Sequence, residues 1–335
     1  MSVPLLDNIL AQPQALQAVA SRQFTEGRPA LIASAALLRS AKRIVLTGMG
    51  GSFAACIPLS YFFAARGVQA QVIETSELLH FQTPALDAQT AVILVSRSGE
   101  SVEAVKLLSL LKQRGCPVVG VVNVPESTIA SHATETIVLG SPPDELVAIQ
   151  TYTATVATLL LLGAEYFNEL DRATSDLNTT IDGLSRGLPH LNQDWTDFLA
   201  HASCLYLLGR GPSLASVNAG ALLFHEVAKL PAIGMSSAQF RHGPVEVVSE
   251  QFRAIVFGSE ELDAALERDL IAIHGSVRRI GPPWPADVPR QFAPIFEIVP
   301  LQFAAYRLAQ SRSIPLGRFR FAPAITLSEQ GFSRP

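Results

Sequence analysis

Charge is scarce in this chain. Asp, Glu, Lys and Arg make up 16% of its 335 residues, and 25 basic against 29 acidic groups leave a formal net charge of −4. Such a balance lacks the basic footprint of a nucleic-acid binder. Cysteine is scarcer still: the 3 present, Cys56, Cys116 and Cys204, stand singly in apolar surroundings. An odd, scattered set argues against a disulfide framework, and no spacing of metal-ligand residues is present. The N-terminus has no basic segment followed by an apolar one, so no secretory leader is expected. The longest apolar run, around Val156 to Ala164, falls well short of the roughly 20 residues that cross a bilayer. The expectation is a soluble cytoplasmic protein with no metal or redox cofactor, no nucleic acid and no membrane partner.

Apolar residues, by contrast, are abundant at 48%. Parallel sheets buried on both faces have that composition, as do chains with extensive subunit contact. Strand-like runs at Arg43–Thr47, Gln71–Ile73, Ala91–Val95, Val118–Val122 and Thr136–Leu139 alternate with helical stretches. Two amphipathic helices, Leu5–Phe24 and Pro29–Leu38, precede them, and a long helix follows from about Ala148 to Tyr166. This alternation predicts an α/β fold with a doubly wound parallel sheet. After a polar helical connector at Asp171–Asp197 the plan restarts. Leu205 to Ser213 (LYLLGRGPS) echoes Ile44 to Ser52 (IVLTGMGGS), and Arg253–Phe257 echoes the strand at Ala91. Ile295–Val299 reads as a last strand and Leu301–Gln310 as a last helix. The division expected is a first domain over residues 1–170, a connector over 171–200, and a second domain with a C-terminal tail over 201–335.

Two loops carry chemistry. Ser96-Arg97-Ser98-Gly99-Glu100-Ser101 lies where a buried strand hands over to a helix. Free backbone N–H groups and the positive end of a helix dipole are presented there, which suits an anion. Hydroxyls at Ser96, Ser98 and Ser101 suggest a phosphate held by neutral hydrogen bonds, with Arg97 as a supplement. The competing reading is simple helix N-capping. Gly48-Met49-Gly50-Gly51-Ser52 is the second loop. It is neither a Walker loop nor a dinucleotide fingerprint, since no Gly-Lys-Ser/Thr follows and Phe53 takes the place of a third glycine. Two such loops at strand ends point to a phosphorylated ligand in a switch-point crevice. The corresponding loop of the second half, Gly258-Ser259-Glu260-Glu261, has carboxylates that would repel phosphate, so the duplication keeps the phosphate site in its first half.

The densest polar cluster within apolar sequence runs from Ala219 to Val245. Glu226 and His242 suit proton transfer on a sugar phosphate: a carboxylate between C1 and C2, an imidazole for ring opening. Plainer readings stand beside these. Glu226 has Lys229 at i+3 as an ion-pair partner, and His242 precedes Gly-Pro as a turn residue would.

With these motifs the chain resembles the double sugar isomerase (SIS) domain proteins. The resemblance is to the isomerase half of glucosamine-6-phosphate synthase and to free-standing phosphosugar deaminases and deglycases. It covers residues from about 30 to 329 and implies two SIS domains, each a doubly wound parallel sheet flanked by helices. The Ser96–Ser101 loop resembles the family's Ser-x-Ser-Gly-Glu-Thr/Ser phosphate loop, and Gly50, Gly51 and Ser52 fall in its first glycine loop. The stretch Glu145 to Thr151 resembles the segment that closes over the sugar, which implies sugar contacts from Ala148, Gln150 and Thr151. Glu226 falls on the proton-transfer glutamate and His242 on a ring-opening histidine that can come from the neighbouring subunit, implying a homodimer with a shared site. There are departures. Pro323 stands where the synthase has its Schiff-base lysine, Gln239 where Glu is common, and Tyr152 where Lys is common. No glutaminase domain or N-terminal Cys nucleophile is seen. The resemblance therefore implies an aminohexose-6-phosphate deaminase/isomerase, with an aldose–ketose isomerase, a fructosamine-phosphate deglycase and a non-catalytic sugar-phosphate sensor as alternatives.

Overall fold

The computed structural model describes residues 4–258, 261–281 and 289–330. They form two compact units, each built on its own parallel sheet. The first unit comprises residues 14–178 and 319–330. Its strands are β1 (Arg43–Gly48), β2 (Ala70–Glu74), β3 (Thr90–Val95), β4 (Val118–Val122) and β5 (Glu135–Val138), in the order β2-β1-β3-β4-β5. All neighbours are parallel. β3 and β4 are buried at every position, which is why they read as unbroken apolar runs. The order reverses between β1 and β3. Gly48 pairs with Val95 there, so the two loops that follow these strands leave the sheet side by side.

Helices cover both faces of the sheet. Leu107, Leu108 and Leu111 of helix Val102–Gln113 join Val92, Leu94 and Val118 in one core cluster. On the other face, helices Gly51–Ala64 and Gln150–Tyr166 pack closely. A Cβ on Gly163 would come within 2.5 Å of Leu59 Cδ1, so only glycine permits that approach. Gln150 to Ala164 are buried throughout. Two of their threonines donate to the preceding turn, Thr153 to the Gln150 carbonyl at 3.1 Å and Thr155 to the Thr151 carbonyl at 2.6 Å.

The second unit comprises residues 4–13 and 179–318. Its strands are β6 (Leu205–Gly209), β7 (Ala232–Ser236), β8 (Arg253–Phe257) and β9 (Ser276–Ile280). They run parallel in the order β7-β6-β8-β9, which matches β2-β1-β3-β4. The repeat read in the sequence is thus a repeat of topology.

Several expectations need correction. Residues 295–299 are not a strand: Ala293–Ser311 is one helix. It is buried on nearly every side, and a helix without a polar face has no 3.6-residue signal to separate it from a buried strand. β7 and β9 were not expected. Ala232–Ser236 contains Gly234, and Ser276–Ile280 is an edge strand with Arg278 and Arg279 exposed, so neither shows clean alternation. Residues 5–24 form two helices, Pro4–Leu10 and Gln12–Phe24. The termini also cross the expected domain division. Residues 4–13 pack with the second unit, where Gln12 Nε2 donates to Gln302 Oε1 at 2.7 Å. Residues 319–330 pack with the first unit, where the Val102 N–H donates to the Thr326 carbonyl at 3.0 Å. The unit boundary falls inside helix Leu170–Leu191. Of the loop Gly258–Glu261, positions 259 and 260 lie outside the described residues.

Candidate functional site

The switch point of the first unit is lined by the two loops. Gly50, at φ 52°, adopts a conformation that a side chain would strain, and immediately precedes helix Gly51–Ala64. No side chain caps that helix, and its Ser52 and Phe53 N–H groups donate to the Met49 carbonyl at 3.0 and 3.4 Å. Ser52 lies in its first turn, half-buried.

Across the switch point, Ser96 directly follows β3 and is 4% exposed. Its Oγ accepts from the Gly99 N–H at 3.1 Å and lies 3.4 Å from Ser101 Oγ. Ser98 Oγ accepts from the Glu100 N–H at 3.2 Å. Gly99 turns the loop at φ 68°, where a Cβ would collide with Ser127. Ser101 is the N-cap residue of helix Val102–Gln113, yet its side chain makes no capping bond. A serine there ordinarily accepts from the first-turn amides. This hydroxyl is turned toward Ser96 instead, which separates the loop from plain N-capping. The one acidic group in the loop is drawn aside: Glu100 Oε1 accepts from the Thr128 N–H at 2.6 Å and Oε2 from the Thr128 hydroxyl at 2.8 Å.

A third segment completes this edge. Arg97 Nη1 donates to the Leu146 carbonyl at 3.2 Å, tying the serine loop to residues 144–151. Ala148 reaches the glycine loop, since a Cβ on Gly51 would stand 4.0 Å from its own Cβ. Gln150 and Thr151 are buried at the start of helix Gln150–Tyr166. Asp144, which the sequence reading passed over, organises this turn. Its carboxylate accepts from the backbone N–H groups of Ile149, Gln150 and Thr151, each at 3.0 Å, and from the Thr151 hydroxyl at 2.5 Å. An acid shortly before a long apolar helix was the available signal. Gly50–Ser52, Ser96–Ser101 and Ala148 are therefore brought together at the carboxyl edge of β1 and β3.

Glu226 and His242 belong to the second unit. Helix Leu214–Leu223 continues into a π-helical turn, Phe224–Ala228, and Glu226 lies half-buried in it. Such turns are frequent where a side chain is re-aimed for function. Lys229 takes a left-handed conformation and donates its ammonium to the Glu226 backbone carbonyl. His225 Nε2 accepts from the Ala232 N–H at 2.9 Å, a structural contact at the start of β7. His242 is exposed in the turn after helix Ser237–Phe240, next to Gly243 at φ 123°. The segments carrying Glu226 and His242 pack on opposite faces of the sheet. Gly220, on the Glu226 helix, abuts Leu207 and Leu301, whereas Phe240 joins Leu208, Phe252 and Leu266. Leu207 and Leu208 are successive strand residues and point to opposite sides.

Among the described residues no group of three or more His, Cys, Asp or Glu is placed to hold a metal ion, and no helix is long and apolar enough to cross a membrane.

The family model that matches this chain is the SIS domain, over residues 37–164. That stretch is 128 of the chain's 335 residues. Its β1–β3 edge is the cradle described above. Beyond the SIS domain, a glutamine–fructose-6-phosphate aminotransferase (isomerizing) of Pyrococcus horikoshii is 30% identical over 338 residues, covering 91% of this chain and 54% of its own length. The chain spans about half the length of the curated relatives it matches. Among solved structures, a phosphosugar isomerase, so described provisionally, from Silicibacter pomeroyi DSS-3 superposes with a TM-score of 0.78 at 24% identity, covering 93% of this chain and 99% of its own. Glucosamine-6-phosphate deaminase from Thermotoga maritima superposes with a TM-score of 0.75 at 18% identity, covering 93% and 96%. These similarities extend the shared fold over both sheets.

Proposed function

We propose that this chain is a cytoplasmic, homodimeric phosphosugar enzyme with two SIS domains that converts an aminohexose 6-phosphate to a ketose 6-phosphate and ammonia. The observation that supports it most is the serine loop. Ser96, Ser98 and Ser101 crowd the N-terminus of a helix that none of them caps in the usual way. With the uncapped helix Gly51–Ala64 beside it, the edge offers hydroxyls and backbone amides suited to a phosphate dianion.

In this reading the phosphate rests on Gly50–Ser52 and Ser96–Ser101, with Ala148, Gln150 and Thr151 shaping the sugar end. His242 moves a proton from the ring hydroxyl to the ring oxygen and opens the ring. Glu226 takes the C2 proton and returns it to C1 while a proton passes from the C2 amine to the C1 oxygen, leaving a C2 imine and a C1 hydroxyl. Water adds to that imine, ammonia departs, and the 2-ketose phosphate remains. Placement of Glu226 and His242 on opposite faces of one sheet supports a site that takes them from two chains.

Pro323 bears on the substrate. The tail reaches the cradle's edge through the Val102–Thr326 hydrogen bond, three residues beyond Pro323. Proline cannot form an imine with a ketose, so the substrate's own amine is the natural source of the imine. An aldose–ketose isomerase working through an enediol also needs no lysine and is the second reading.

A panel of hexosamine, ketosamine and hexose 6-phosphates, assayed for ammonia release and for ketose formation, tests the proposal. Ammonia from glucosamine 6-phosphate supports deamination, and ketose formation without ammonia supports the isomerase. Binding with no turnover on any member identifies a sensor and overturns both.

A further inference from the structure

The segment that borders the cradle of the first unit is tied at both ends. Asn123, directly after β4, donates from Nδ2 to the Ser141 carbonyl and accepts the Ser141 N–H on Oδ1, each at 3.0 Å. Asp144 holds the other end through the amides of Ile149, Gln150 and Thr151. Between these anchors residues 145–148 form neither helix nor strand. Among the described residues their one hydrogen bond is at the Leu146 carbonyl, which accepts from Arg97 Nη1 at 3.2 Å. The backbone of Arg97 is fixed by the same asparagine, since its carbonyl accepts from the Asn123 N–H at 3.0 Å. Arg97, Asn123, Ser141 and Leu146 thus close a circuit that joins the serine loop to the segment. The half-buried guanidinium is the one side-chain link of that circuit that comes from the serine loop.

We propose that Arg97 is a positioning residue: it holds residues 145–148 against the cradle for the sugar of a phosphosugar ligand, and is not a principal ligand of the phosphate. This deepens the phosphosugar reading given above and rests on it. Arginine recognises a phosphate best by laying its planar fork on two oxygens. Here Nη1 is committed to a neutral carbonyl on another segment, although Arg97 sits in the loop best suited to an anion. The bond sets the place of Ala148, two residues on, beside Gly51 of the glycine loop. Without the guanidinium the segment keeps both anchors and loses the restraint between them. The loss then falls on the part of a ligand that meets residues 145–148, and the phosphate keeps its hydroxyls and amides.

The test compares the affinities of inorganic phosphate and glucitol 6-phosphate, an open-chain phosphosugar with no carbonyl to react. Both are measured by calorimetry at constant pH and ionic strength, with the weaker probe in competition against the stronger. The proteins are the parent, Arg97→Met, Arg97→Lys and Ser96→Ala/Ser98→Ala. Taking the ratio of the two affinities cancels any general effect of lost charge, because both probes are phosphate anions. Arg97→Met is expected to keep inorganic phosphate within about threefold of the parent and to lower the ratio by about tenfold or more. Arg97→Lys retains a cationic donor without the fork, and its ratio is expected to recover to about threefold below the parent's. If Arg97→Met is unfolded by circular dichroism, Arg97→Lys decides, and a lowered ratio with inorganic phosphate retained supports the proposal. Equal loss of both affinities would make Arg97 a phosphate ligand and overturns the proposal, as does an unchanged ratio in the folded variants. A parent that binds neither probe, or a serine variant that binds both as the parent does, fails the cradle reading itself and takes this inference with it.

Discussion

Thr151 donates its hydroxyl to Asp144 at 2.5 Å, and the same carboxylate receives the N–H groups of Ile149, Gln150 and Thr151. One acid thereby caps a buried helix and holds the segment that borders the cradle. Replacing Asp144 with Ala leaves several donors without a partner. The expected loss of stability is about 2–4 kcal/mol, from charge-assisted bonds of about 1.5–3 kcal/mol each with partial replacement by water. Urea unfolding would measure it. An unchanged midpoint in Asp144→Ala would mean that water replaces the carboxylate fully.

The phosphate cradle makes a prediction about ligand chemistry. Ser96→Ala/Ser98→Ala is expected to weaken sugar-phosphate binding by about 1–3 kcal/mol for each charge-assisted bond lost. The parent is expected to bind the unphosphorylated sugar poorly. Calorimetric titration of both sugars against both proteins checks this. Equal affinity for the two sugars would remove the phosphate from the cradle.

Glu226→Gln keeps shape and hydrogen bonding but cannot accept a proton. Turnover is expected to fall about a hundredfold or more with ligand affinity within a few-fold of the parent, the usual scale for loss of a general base. In deuterated water the parent's product should carry solvent deuterium at C1. Near-parent turnover would make Glu226 a structural residue.

If His242 serves the neighbouring chain, His242→Ala and Glu226→Gln are each inactive alone. Mixing and exchanging them should restore part of the activity, since some sites then hold both groups. Mass spectrometry of the mixed dimer confirms the exchange. Absence of recovery in a verified heterodimer would place both residues in one chain's site.

Burial pushes the Glu297 carboxyl up from its ordinary value of 4.5 to about 7, with Ser213 and Ser216 pulling it back and Asp263 adding to the rise. A native group with a raised value binds its proton more tightly than the unfolded chain does. Its contribution to stability is full below about pH 4.5 and is lost as pH rises through about 7. The gap corresponds to about 3 kcal/mol. Melting curves from pH 5 to 8 should therefore show the parent losing stability relative to Glu297→Gln. Parallel profiles would show that Glu297 is ionised throughout.

Much of the first unit was legible because its buried strands are unbroken apolar runs and its loops interrupt them with glycine and serine. The second unit was harder to read. β9 exposes arginines at an edge, β7 contains a glycine, and the helix Ala293–Ser311 hides its period in complete burial. Misreading that helix also concealed Glu297, which as a strand residue had no reason to meet Ser213 and Ser216. Asp144 was missed because a lone acid after Pro142-Pro143 looks like any loop residue until three amides converge on it.

The exchange of chain ends has a consequence for synthesis. Lys106 on the cradle's helix is paired with Glu329, 223 positions later in the chain. At roughly 5–20 residues per second on the ribosome, the first unit waits about 10–45 s for the segment that closes it. During that interval the amide of Val102, beside the serine loop, has no Thr326 carbonyl to meet, and Lys106 has no Glu329. The half of the protein made first is thus completed last, and a fragment truncated after its final strand would emerge with this edge uncovered.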